Sequence, residues 1–383
     1  MLKKIDKNLL DYTKSMSDEN QKVDCLVYAN NYYFAKRYLK SMYENVDEYP
    51  FIKAFGISAN IDSITRIANL TQVKYISSVA KVFAQMNIAK KAMNYENIDK
   101  EIFNGSGVNV AIIDTGIAEH VDFCSFDNRI LHFEDFVNGK QVPYDDNGHG
   151  TFVASVLAGN GFLSGKKFSG IAPKANIIMC KALDEKGETG SLTILKAMQW
   201  IYDNRERFDI RVVCMSLGSQ PLDSGDPLMQ GAEALWNSGI VVVAAAGNSG
   251  PERRTIKSPG ASGRIITVGA LDDGRNINDV SKNQFSIANF SSRGPSNNFY
   301  KPDCLASGVD IVCASPMGEF YTKMSGTSVS TPIIAGACAI LLQKYPNLNP
   351  LQVKSRIINS CDRLSGDRNT EGFGVLNFEK LIK

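Results

Sequence analysis

The sequence predicts an α/β protein: a parallel sheet with helices on both faces, preceded by a small α+β domain. Three observations carry this. From about residue 107 onward, short apolar runs alternate with helix-compatible stretches: "VNVAII", "NIIMCKAL", "IRVVCMSL", "IVVVAAA" and "RIITVGA". These runs are β-branched and continuously apolar, as strands buried on both faces are. Residues 22 to 85 read differently, as β-α-β-β-α-β.

Taken in order, "KVDCLVYA" reads as a strand and "NYYFAKRYLKSMY" as a helix. "FIKAFGISANI" is the next strand region, "SITRIANLTQ" a second helix, and "VKYISSVAKVFAQ" a final extended segment. That order suits a ferredoxin-like domain. Residues 86 to 106 are polar and charged and read as a linker. The expected organisation is therefore a domain over 1–85 and a larger one over 86–383.

Composition bounds the function. The chain has 383 residues, 44% of them hydrophobic, enough for a large core. A net charge of +2 gives no electrostatic case for nucleic acid or for an anionic membrane as partner. No apolar run approaches transmembrane length. "MLKKIDKNLLDYTKSMSDENQ" has no apolar core of a secretory signal, so a cytoplasmic location is expected. Eight cysteines without C-x-x-C spacing read as buried thiols in a reducing compartment. Three scattered histidines and no H-E-x-x-H give no case for a zinc site, and no cofactor is expected.

The chemistry starts from "MSGTSVSTP", Met324 to Pro332, with five hydroxyls ahead of the apolar "IIAGACAILL". Capping of a helix would explain the hydroxyls alone; a nucleophile needs a base elsewhere. Of the three histidines, His149 stands in "DDNGHGTFVASVLAG", between glycines and at the start of a helix-compatible run. His120 and His132 lack such a setting and read as structural or surface residues. Asp114 ends the strand-like "VNVAIID", where open parallel sheets gather functional groups. The order Asp114, His149, Ser328 is the Asp…His…Ser order of the subtilisin type of triad. No histidine follows residue 149, which excludes the α/β-hydrolase order.

With these motifs the chain resembles the subtilisin-like serine proteases, the subtilases. "VAIIDTG", "NGHGT" and "SGTSVSTP" match their Asp, His and Ser motifs, and "VVVAAAGNSG" matches the segment carrying an oxyanion-hole asparagine. "FSSRGP" and "KPD" match as well, and the likeness spans roughly residues 97 to 383. The resemblance implies a serine endopeptidase in which Ser328 attacks, His149 moves the proton, Asp114 orients the ring, and Asn248 with the Ser328 N–H binds the oxyanion. It implies a cleft that pairs an extended substrate with one edge near Thr189 to Leu192, where Gly190 lets the backbone approach, and another near Ser216, Leu217 and Gly218. A P1 pocket would lie by Ala246, with Lys257 on its floor; a lysine there suggests a P1 side chain that accepts a hydrogen bond.

The resemblance also implies that residues 1–85 are an inhibitor-type propeptide, cut by the enzyme itself and kept as a non-covalent partner beside protein or peptide substrates. The expected cut lies after Gln85, before Met86, in an extended tail with Val82 at P4; the rival is after Phe83. The loop "AGNGFLSGKKFSGIAP" after the His motif has no Asp or Glu, so no metal is expected there. A cysteine-containing subtilase with a long N-terminal region is similar to the clostridial spore-germination proteases, which carry an extra β-rich insert; this chain is short for one. Precursor processing, in general or in spores, is the implied role. The alternative is a silent protease-like scaffold held shut by its propeptide and acting by binding.

Overall fold

The computed structural model describes residues 4–5, 9, 22–50, 53–78, 85–125, 127–222, 225–274, 284–296, 298–316, 321–364 and 366–383. The chain divides into two compact units, Met1–Phe83 and Ala84–Lys383. The division falls two residues before the boundary expected after residue 85.

The first unit runs β1 (Val23–Ala29), α1 (Tyr32–Met42), β2 (Asp47–Tyr49), β3 (Ala54–Ala59), α2 (Ile61–Ala68), β4 (Val73–Ser78). The side chains of Asn31 and Asn60 cap the two helices, accepting from Phe34 N and Ser63 N. The strands form one antiparallel sheet in the order β2-β3-β1-β4. This is the split β-α-β arrangement that the element order predicted. Its core includes Val27, Phe55, Ile57, Ile64 and Ile76. The middle pair differs from expectation in one respect: β2 precedes "FIKAFGISANI", and only β3 lies inside it.

The second unit begins with α3 (Gln85–Ala92) and continues with β5 (Asn109–Asp114), β6 (Ile130–Asp135), α4 (His149–Ala158), β7 (Asn176–Lys181), α5 (Ser191–Asn204), β8 (Ile210–Met215), α6 (Pro227–Asn237) and β9 (Val241–Ala245). After these come β10 (Ile266–Asp272), β11 (Ser286–Ile287), β12 (Cys304–Ser307), β13 (Ile311–Ala314), β14 (Tyr321–Met324), α7 (Thr327–Lys344), α8 (Pro350–Asn359), β15 (Cys361–Asp362) and β16 (Val375–Leu376). The sheet runs β15-β16-β12-β10-β9-β8-β5-β7-β6, with β11 paired to β10. Its pairs are parallel except for β15 with β16 and β11 with β10. All five strands expected from apolar runs are present. The strand β6 escaped that reading because its burial alternates, as an edge strand's does.

Two features position the site. Strand order reverses at β5, whose neighbours are β7 and β8, so the C-terminal end of β5 opens onto a switch-point crevice. Helix α7 is buried from Val329 to Leu342 and packs on α4 and on β8, β9, β10 and β12. It therefore holds its N-terminus fixed against the same end of the sheet. Among the described residues, no helix is long and apolar enough to cross a membrane.

Candidate active site

Asp114 is the last residue of β5 and is fully buried. Its Oδ1 lies 2.7 Å from His149 Nδ1 and accepts the Thr115 N–H at 2.7 Å. Its Oδ2 is buried without a hydrogen-bond partner among the described residues. A carboxylate this close to the ring favours the imidazolium over the neutral ring. Burial works against the charged ring of His149. The Asp114 carboxylate, its hydrogen bond to Nδ1, and then Asp145 outweigh burial and raise the pKa above the ordinary 6.5.

His149 is the first residue of α4. The preceding loop is organised by Asp145. Its Oδ1 accepts Gly148 N at 2.8 Å and Thr115 Oγ1 at 2.9 Å. Its Oδ2 accepts Thr151 N at 2.8 Å and Thr151 Oγ1 at 2.6 Å. Thr115 Oγ1 in turn accepts Gly150 N at 2.8 Å. One carboxylate thus ties the turn after β5 to the start of α4, and the Asp114–His149 distance follows. Gly150 fits because a Cβ there would collide with the Gly116 carbonyl.

Ser328 is the second residue of α7, where helical N–H groups have no intrahelical partner and the dipole favours negative charge. Gly326 caps this helix at φ 155°, ψ 162°, a conformation open essentially to glycine alone. The place its Cβ would occupy lies 3.0 Å from Ser328 Oγ, 3.3 Å from Asn248 Nδ2 and 3.7 Å from Ser328 N. One small space is therefore faced by a hydroxyl and by two N–H donors. The Asn248 amide is oriented from behind: its Oδ1 accepts Thr327 N and Thr327 Oγ1, both at 2.9 Å. Thr327 Oγ1 also accepts Gly247 N at 3.1 Å. Both bonds to Oδ1 leave Nδ2 turned toward Ser328. Among the described residues, no hydrogen bond closes Ser328 Oγ on His149; such bonds are often long before substrate binds.

His149, Asn248 and Ser328 line one cleft of about 730 Å³. Ser216, Leu217, Gly218 and Lys257 line it too. Gly190 itself caps α5, while the wall beside it is built by Gly187, Glu188, Thr189 and Ser191, so two residues of the expected edge line the cleft. Asp184 Oδ1 holds that turn by accepting Lys186 N and Glu188 N. Ala246 is buried behind the wall with Ile256 and Ala261, while Ala245 and Gly247 face the cleft. The stem of Lys257 packs on Gly218 and Gly247, and its Nζ donates to Gln220 Oε1 at 2.8 Å. Ile194, Leu217 and Leu228 give part of the cleft an apolar wall.

The other two histidines sit outside this cleft. His120 is fully buried, accepts Asp122 N through Nδ1, and rests against Phe123 and Tyr321. His132 stacks on Trp200 and pairs with Glu134. The expected extended tail is a strand from Val73 to Ser78. Residues 79–84, with Val82 and Phe83, lie outside the described residues, and Gln85 and Met86 open helix α3. Sequence reading missed Asp145 and Thr327. The signal for Asp145 was present: "DDNG" ahead of a helix is an Asx-turn pattern. Thr327 had none, because a threonine inside a hydroxyl-rich cap looks like any other.

Comparison with known proteins agrees with the geometry. A family model described as the Subtilase family matches residues 105–375. The chain is 38% identical over 340 residues to the Serine protease AprX of Bacillus subtilis (strain 168), spanning 82% of this chain and 76% of that relative. It is 34% identical over 287 residues to Subtilisin DY of Bacillus licheniformis, 74% of this chain and 94% of the relative. Among solved structures, Sphericase aligns with a TM-score of 0.64 at 28% identity, covering 76% of this chain and 96% of its own. The S41 Psychrophilic Protease aligns with a TM-score of 0.67 at 27% identity, covering 78% and 99%.

Proposed function

The chain belongs to the subtilase family and is a subtilisin-like serine endopeptidase, and we propose that it hydrolyses peptide bonds with Asp114, His149 and Ser328 and cuts its own N-terminal region. The observation that carries the chemistry is the space beside Gly326, faced by Ser328 Oγ, Asn248 Nδ2 and Ser328 N. A peptide carbonyl seated there meets a nucleophile at its carbon and two donors at its oxygen. Ser328 Oγ attacks; His149 Nε2 takes the proton and returns it to the leaving amine. Asp114 holds Nδ1 and stabilises the imidazolium. The developing oxyanion gains the Asn248 and Ser328 N–H bonds. Water then releases the acyl group by the same steps in reverse roles.

Self-processing is supported by the separate packing of residues 1–83 around their own core. The preferred cut is Gln85–Met86. It places Val82 at P4, small Ala84 at P2, and the Gln85 amide at P1, where the Lys257 ammonium can donate to it. Because Gln85 opens α3, the first turn of that helix must unwind for the bond to enter the cleft extended. The cleaved domain stays bound as a partner and inhibitor. Eight cysteines, six of them buried, favour a reducing, intracellular setting and a role in processing protein precursors, in spores or in general turnover.

Purified wild type should run as two co-eluting fragments and Ser328→Ala as one chain. The larger fragment should begin Met86-Asn87-Ile88; a start at Ala84 would assign the cut to Phe83. A fluorophosphonate probe should label the cleaved protein but not Ser328→Ala, and failure to label would leave only a binding scaffold. Lys257→Gly should change P1 preference; an unchanged profile would remove Lys257 from the pocket.

A further inference from the structure

We propose that the Ser216 hydroxyl is a positioning group for the nucleophile, required because Pro332 interrupts the helix that carries it. The inference rests on Ser328 being the nucleophile.

In an α-helix the carbonyl of residue i accepts the N–H of residue i+4. For Ser328 that residue is Pro332, which lies inside α7 and has no N–H. The carbonyl of Ser328 is thereby left without its helical donor. Val329, Ser330, Thr331 and Pro332 beside it are all buried, although Ser328 itself is partly exposed to the cleft. A buried carbonyl without a partner is destabilising. The Ser216 Oγ, which follows β8 in the chain, donates to it at 2.9 Å. The other neighbour of this hydroxyl is the Cys214 sulfur at 3.8 Å, a weak partner. The preceding carbonyl, that of Thr327, is held by Thr331 Oγ1 at 2.7 Å. Side-chain hydroxyls thus fix the first turn of α7 on both carbonyls.

That turn carries two groups of the reaction and holds a third. Ser328 supplies Oγ and one oxyanion donor, and Thr327 orients the other donor by holding Asn248 Oδ1. A shift of the turn moves all three together. Misplacement on the order of 1 Å costs about 100-fold in rate. The Ser216 hydroxyl therefore acts through the peptide of Ser328, beyond the edge contacts that its backbone offers a substrate.

The test is a double-mutant cycle. Ser216→Ala should lower kcat by about tenfold or more, with KM little changed, and slow fluorophosphonate labelling in parallel. Pro332→Ala restores the i+4 N–H. In the Pro332→Ala background, Ser216→Ala should lose most of its effect, because the Ser328 carbonyl then has a helical donor. If the double variant is as slow as Ser216→Ala alone, or if Ser216→Ala changes only KM, the proposal falls and the hydroxyl serves the substrate instead. Should Pro332→Ala fold poorly, Ser216→Thr and Ser216→Val serve: they share a shape and differ by the hydroxyl. Threonine should label faster than valine by about fivefold or more; equal rates overturn the proposal. Failure of the underlying reading looks different, since then Ser328→Ala itself would remain active and labelled.

Discussion

Asn248 gives the sharpest quantitative expectation. Its Nδ2 faces the space beside Ser328 Oγ, and the second donor is the Ser328 N–H. Asn248→Ala removes one of two donors at the place where negative charge develops. The loss of one such donor lowers kcat by about 10²–10³, roughly 2.7–4 kcal/mol; the figure comes from the corresponding asparagine of a subtilisin and is not calculated from this chain. The same substitution deprives Thr327 N and Oγ1 of their acceptor. Thr327 is 1% exposed, so stability should also fall, by about 1–3 kcal/mol. Thr327→Val separates the two effects. It leaves Nδ2 in place but removes one of the two anchors of Oδ1 and strands Gly247 N. A neutral hydrogen bond is worth about 0.5–1.5 kcal/mol, so kcat should fall only about 2–10-fold. The assay is kcat and KM on a peptide amide substrate, normalised by active-site titration so that misfolded protein is not counted. The reasoning is refuted if Asn248→Ala keeps kcat within about threefold of wild type, or if Thr327→Val is the slower variant.

The acid limb of kcat/KM should lie above pH 6.5. His149 must be neutral to act as base, and its pKa is raised because Asp114 and Asp145 outweigh its burial, so activity is lost as pH falls through that raised value. Asp114→Asn should move the limb down and lower kcat by about 10⁴; a wild-type limb at or below 6.5 would contradict the assignment. Asp303→Asn should destabilise the fold by about 3–5 kcal/mol. It leaves the buried Lys301 without the carboxylate at 2.7 Å, and Lys354 loses its bond to the same group; unchanged denaturant unfolding would refute this. Chelator should leave Tm in place, since the loop after the His motif carries Lys166 and Lys167 and no carboxylate. A fall of many degrees would point to a metal elsewhere.

Local patterns in the sequence single out where the proposed chemistry sits along the chain. Asp114, His149 and Ser328 each lie at a junction with a local signature: the end of an apolar strand, a glycine-flanked helix start, a hydroxyl-rich cap. Such junctions depend on neighbouring residues, so periodicity and capping rules reach them. The five interior strands were legible for the same reason, being apolar on both faces. The folded chain alone decided what those rules cannot see. Thr327 orients Asn248 across 79 positions, and Ser216 reaches the Ser328 carbonyl across 112. Neither pairing has a signature, because a hydroxyl's partner is set by which strand end the central helix meets. The wall at the expected edge extends back to Gly187 and Glu188, because Asp184 folds the turn before α5 toward the cleft. Helix α3 took Gln85 and Met86 from the expected extended tail, since "QMNIAKKA" is composed mostly of residues that favour a helix when an apolar face can be buried. Local chemistry thus chose the proposed reacting groups, and long-range packing chose what holds them in place.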